Sequence, residues 1–205
     1  MARASATSAV EVTPAPGAER HVALDLANSA VAVSGGHVFD LLGTPDSANT
    51  WLADRGLAPT AFGMREQCAA QLRALREQVR ALIASRVEQL PPPDSALAAV
   101  NDVMTRVPTA ALLRWDGEQG LRREASHPVT QALNHALAVL AADAAELLTG
   151  DDAPLLAACG APSCRRYLLR THGRRQWCSV RCGDRVRAAR AYARRTGGTV
   201  EASGS

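Results

Sequence analysis

Residues 159–185 read CGAPSCRRYLLRTHGRRQWCSVRCGDR, which sets Cys159, Cys164, Cys178 and Cys182 in the spacing C-x4-C-x13-C-x3-C. A zinc ion asks for four soft or borderline ligands in a tetrahedron, with Zn–S distances of about 2.3 Å. Gly160 and Pro162 allow a tight turn that brings Cys159 and Cys164 to one ion. Cys178 and Cys182 can sit on a turn that enters a helix. The stretch from Arg165 to Trp177 has the length of a β-hairpin, with Tyr167 to Leu169 as one arm and Thr171-His172-Gly173 near the bend. Two disulfides would suit an exported chain, but residues 1–19 carry no continuous apolar run of the kind an export signal needs. Four thiolates also leave no open position for water or substrate. The expectation is therefore one structural Zn2+ held by Cys159, Cys164, Cys178 and Cys182. Cys68 stands alone in a helical stretch and reads as a small buried hydrophobe.

The charge around these cysteines is lopsided. The chain has 205 residues and a formal net charge of +3, and every basic residue is arginine. Coding bias in a GC-rich genome would replace lysine by arginine throughout, but it does not decide where the arginines fall. Residues 159–195 hold eleven arginines and one acid, Asp184, a net +10, and the remainder is −7. An acidic body with a strongly basic end is the asymmetry of a protein that meets a polyanion. Asp184 to Thr196 is expected to be helical, with Val186, Ala189, Ala193 and Tyr192 turned towards the metal knuckle. Arg187, Arg190 and Arg194 then share one exposed face. Arginine offers paired donors to phosphate or to the guanine edge. The candidate nucleic-acid contacts are Arg174, Arg175, Arg181, Arg185, Arg187, Arg190, Arg194 and Arg195. A solubilising basic helix is the plainer reading, set against the self-repulsion of ten net charges.

Upstream, composition favours helices. Apolar residues make up 47% of the chain and aromatics only 3%, so alanine and leucine supply the core. Residues 1–19 read as a disordered leader. His21 to Ala32 is apolar, either strand or helix, and Ser34-Gly35-Gly36 breaks it. Thr44 and Pro45 suit the start of a helix over Asp46 to Arg55. Thr60 to Gln89 carries Leu72, Leu75, Val79, Leu82 and Ile83 as one stripe, with Arg65, Arg73, Arg76, Glu77 and Arg80 on other faces. Ser95 to Arg106 is a further helix, capped by Asp94 or Ser95, with Leu97, Val100, Val103 and Met104 as its stripe. Ala110 to Glu124 reads as a β-hairpin turning at Asp116-Gly117, and Val129 to Thr149 as the last helix of the body, built on Leu133, Leu137, Leu140, Ala144, Leu147 and Leu148. The fold class is mainly α (α+β). It comprises a leader (1–19), a helical domain (20–150), a zinc-stabilised hairpin–helix module (155–196) and a disordered tail (197–205).

The run from Cys159 to Arg195, above all Trp177-Cys178-Ser179 and Cys182-Gly183-Asp184-Arg185, resembles the CGNR zinc finger. Asp184 stands where the family name has asparagine. The last cysteine pair encloses three residues where four are expected. The N-terminal part is similar to the ABATE domain, through Ala23-Leu24-Asp25-Leu26-Ala27-Asn28-Ser29, Asp40-Leu41-Leu42-Gly43-Thr44-Pro45 before Trp51-Leu52, and the long arginine-bearing helix. The resemblance implies zinc on the four cysteines and a DNA-binding transcription regulator.

Within the body, Asp25, Asn28, His37 and Asp40 lie in or beside apolar runs. They are candidates for a small-molecule pocket, or serve to satisfy local backbone. Trp51 and Trp115 read as core, and His127 as a loop residue. Among the catalytic patterns, no nucleophile–base pair, phosphate loop or carboxylate pair stands out, so the expectation is a regulator that is not an enzyme. Its partners are expected to be duplex DNA, a small-molecule effector and a second copy of the chain. Its expected location is cytoplasmic and nucleoid-associated, with no membrane. The alternatives are an RNA- or acidic-protein-binding module using the same arginines, with Tyr167, Trp177 and Tyr192 to stack on bases, or an N-terminal enzymatic or ligand-binding domain with an accessory finger.

Overall fold

The computed structural model describes residues 12–32, 38–60, 63–106, 111–118, 120–125 and 132–197. The body is built from helices α1 (Val22–Ala27), α2 (Pro45–Ala53), α3 (Glu66–Glu88), α4 (Asp94–Thr105) and α5 (Ala132–Thr149). Between them lie two antiparallel ribbons, β1 (Ala30–Ala32) with β2 (Val38–Asp40), and β3 (Ala111–Asp116) with β4 (Gly120–Ala125). The C-terminal module consists of β5 (Leu156–Ala158), β6 (Tyr167–Leu169) and α6 (Val180–Gly197). No helix among the described residues is long and apolar enough to cross a membrane.

The apolar periodicities place the core. On α3, Leu72, Leu75, Val79, Leu82 and Ile83 are all buried, and α5 contributes Leu133, Leu137, Leu140, Ala144 and Leu147. Leu24, Leu26, Leu42, Trp51 and Leu52 close the same cluster, while Cys68 packs at its margin. Thr44 caps α2 in a reciprocal pair with Ser47 and Pro45 follows it, as the sequence suggests. On α4 the cap is absent: Pro93 holds the N-cap position without a side-chain bond. Its buried face is Ala96 and Val100, so Leu97 points outward.

Other expectations change. His21 to Ala32 is both alternatives in turn, α1 and then β1. The break at Ser34–Gly36, the candidate His37 and His127 lie outside the described residues. Trp51 is core, but Trp115 is 74% exposed on the β3–β4 ribbon. Order begins before Arg20: residues 13–19 form a strap laid against the C-terminal module, where Leu169 donates its amide to the Pro16 carbonyl at 2.8 Å. Ala15 is buried in the module's small core. Gly17 has φ +97°, and a Cβ there would come within 2.5 Å of the Leu169 side chain, so the strap's turn and its close approach both need glycine.

The module's hairpin also differs. Tyr167–Leu169 pairs with Leu156–Ala158, upstream of the first cysteine, and not with residues beyond the bend at His172. The hairpin turn is therefore Cys159 to Arg166 itself. Helix α6 starts at Val180, four residues before Asp184, so Cys182 and Gly183 lie inside it.

Candidate metal centre and arginine surface

The β5–β6 turn delivers Cys159 and Cys164, and the start of α6 delivers Cys182, with Cys178 just ahead of it. The four Sγ atoms lie within 4.8 Å of one another. Cys178 Sγ is 3.7 Å from that of Cys164 and 3.6 Å from that of Cys182. A tetrahedron with Zn–S of about 2.3 Å has edges of about 3.8 Å, so the thiols already stand at ligand spacing. They are too far apart for disulfides, whose sulfurs touch at about 2.05 Å.

The thiols are strongly coupled to one another. Hydrogen bonds from Cys164 and Cys178 hold the Cys159 thiol well below its usual range. The bond to Cys159 pushes Cys164 up to about 11, and bonds to Cys159 and Cys164 push Cys178 far up. Zinc binds the thiolate form, so loading the site releases protons from these thiols. The donors that brace a four-cysteine zinc site are in place. The Cys178 amide points to Cys159 Sγ at 3.3 Å, Arg166 Nη1 to Cys178 Sγ at 3.9 Å, and Arg185 Nη2 to Cys182 Sγ at 3.7 Å. Two guanidiniums offset the net −2 of a zinc tetrathiolate. These residues hold one structural zinc.

Gly183 lets Trp177 and Arg187 pack onto the first turns of α6. A Cβ there would meet both at 3.1 Å. Arg187 lies over the Trp177 ring, 5.9 Å from its centre, and pairs with Asp184. Asp184 is therefore an ion-pair partner on the second turn rather than a charge at a helix start. Of the residues expected to pack inward from α6, Val186 is buried; Ala189, Ala193 and Tyr192 are exposed.

The arginines divide into two groups. Arg174, Arg175, Arg181, Arg185 and Arg187 line a cleft of about 940 Å3 together with Arg165 and Arg166. Its walls include the strap and β1 of the body, and no acidic side chain is among its described lining residues. Arg190, Arg194 and Arg195 lie beyond it on the exposed outer part of α6. Sequence reasoning passed over Arg165 and Arg166. Arg166 is only 6% exposed and bonds the Thr13 carbonyl at 2.9 Å as well as facing Cys178.

Of the candidate pocket residues of the body, the described ones, Asp25, Asn28 and Asp40, each bond a different partner. Asp25 accepts a salt bridge from Arg55. Asp40 takes a two-pronged bond from Arg76, which also reaches Ser29 and Glu77. Burial alone would raise the Asp40 carboxyl, but the Arg76 and Leu42 hydrogen bonds outweigh it and hold it below the usual range. Arg76 itself is buried in α3 and not on an outer face. Asn28, 1% exposed, donates to the Tyr167 carbonyl and accepts from the Tyr167 amide, both at 2.9 Å. It therefore docks the zinc module onto the body as an extra strand residue would. Arg80 reinforces the joint, with bonds to the Ala27 and Arg165 carbonyls and its guanidinium over the Tyr167 ring. The sequence signal for Asn28 was a buried amide whose partner lies 139 residues away.

No curated protein matches the chain. A family model described as "Putative stress-induced transcription regulator", ABATE, matches residues 20–151, and a CGNR zinc finger model matches residues 156–195. The chain therefore belongs to the ABATE family and carries a CGNR zinc finger behind the ABATE domain.

Proposed function

We propose that the protein is a transcription regulator whose zinc-held module binds duplex DNA, while the helical body senses a ligand or pairs with a second copy. The observation that carries this reading is the arginine-lined cleft beside the zinc site, with no acid among its described lining residues, continued by Arg190, Arg194 and Arg195 along α6. Each guanidinium can fork onto a phosphate or a guanine edge. In this reading the chain acts by binding and not by catalysis, since four thiolates close the metal's coordination sphere, and it works at the nucleoid.

A salt titration of binding to random-sequence duplex DNA tests the proposal. The affinity should fall by roughly one power of salt concentration per phosphate contacted. Salt-independent affinity, or no binding to any duplex, would overturn it. RNA or an acidic protein that displaces the duplex at equal concentration would reassign the same arginines to that partner.

A further inference from the structure

We propose that the cleft between the zinc module and the body is a binding site for a nucleoside polyphosphate, apart from any grip on duplex DNA. Its volume of about 940 Å3 lies at the upper end of the range that encloses small organic ligands. The lining has two characters. Arg174 and Arg175 are exposed guanidiniums on its rim; Val31, Pro16 and half-buried Trp177 are apolar surface facing the same space. A polyphosphate chain answers the first and a base with its ribose answers the second, whereas a bare polyanion would leave the apolar wall uncovered.

Arg166 adds an incompletely paired guanidinium to the same lining. Two of its nitrogens are used, on Cys178 Sγ and on the Thr13 carbonyl, but its buried Nε has no hydrogen-bond partner among the described residues. A buried N–H without an acceptor is costly, and Arg166 belongs to the lining of the cleft. The walls belong to different parts of the chain: the strap and β1 on one side, the metal knuckle on the other. A ligand here spans the joint between body and module. It also occupies arginines that DNA would use, so the two compete.

The test does not depend on DNA. Calorimetry on the zinc-loaded full-length chain would compare ATP, GTP, inorganic tripolyphosphate and adenosine at physiological salt. One nucleoside triphosphate should bind saturably, one per chain, with tripolyphosphate at least about ten-fold weaker and adenosine weaker still. Arg174→Ala with Arg175→Ala, both exposed, should weaken binding by about ten-fold or more. Ala32→Glu places a carboxylate on the body's wall of the cleft, at an exposed position outside the zinc module. It should weaken nucleotide binding with zinc content and melting temperature unchanged. Three results would each overturn the proposal: no saturable nucleotide binding, equal affinity for tripolyphosphate, or an Ala32→Glu variant of unaltered affinity. Loss of duplex binding with nucleotide binding intact would sink the DNA reading and leave this one standing.

Discussion

The body and the zinc module use arginine in opposite ways. In the body, Arg20, Arg55, Arg73, Arg76 and Arg106 each pair with a carboxylate of the same domain or its junction. In the module, eleven arginines share one acid, and several instead face thiol sulfur, an aromatic ring or an acid-free cleft. The cores differ as sharply. The body buries leucines from four helices, while the module's buried cluster is mostly alanine and cysteine around Leu168 and Val186. So small a core does not fold on apolar burial alone. The body is held by its own side chains; the module is held by an ion and by Leu156 and Leu169, which join the body's core.

The largest effect should come from breaking the metal set. Cys178 touches Cys164, Cys182 and Arg166, and structural zinc contributes on the order of 10 kcal/mol or more to such a fold. Cys178→Ser should abolish zinc binding and unfold residues 156–195 while leaving the body's helices; retention of one zinc per chain would show the ligand set to be wrong. In the body the corresponding break is Arg76→Ala. It strands the half-buried Asp40 carboxylate, and losing a charge-assisted partner there costs about 2 kcal/mol. Thermal melting should show that loss with zinc content unchanged.

Asn28→Ala tests the joint. It leaves the Tyr167 amide and carbonyl unpaired, at a cost of roughly 2 kcal/mol. Hydrogen exchange should quicken at β6 more than in α3 or α5. The pH dependence separates the two regions again. Asp40 titrates below its ordinary value of 3.8, so its contribution is complete above that value and is lost as pH falls through the lower, folded one. Asp40→Asn should therefore flatten the body's stability profile at the acid end and leave neutral pH with the cost of a weakened Arg76 contact. The smallest effect is on stability and the most specific on binding: Arg190→Ala or Arg194→Ala should leave melting and zinc unchanged and lower the salt exponent for DNA by about one each.

What the sequence makes legible is local. Thr44-Pro45, the stripe from Leu72 to Ile83 and the four cysteines carry their meaning within one or two turns of chain, and the structure agrees with each. What it hides is long-range. The strap reads as disordered because residues 1–19 are poor in core-forming side chains, and its order comes from Leu169 and Arg166, about 150 residues on. The hairpin partner of Tyr167–Leu169 is ambiguous in sequence because either neighbouring segment could supply three extended residues. Arg76 reads as surface because its partner Asp40 lies on another element. Asp25, Asn28 and Asp40 read as a pocket because buried polar residues announce a need for partners without saying where they are; Asp25 lines a small cleft with Arg55 and Asp143, and a larger one is assembled from the strap, β1 and the metal knuckle.

The most direct test is hydrogen exchange along the zinc-loaded full-length chain before and after zinc is removed by a chelator. Exchange in residues 156–195 should rise to unfolded rates, together with that of the strap at 13–17, while α1, α3 and α5 keep their protection. Uniform protection after chelation, or loss of protection throughout the body, would contradict a metal-held module on a self-sufficient helical domain.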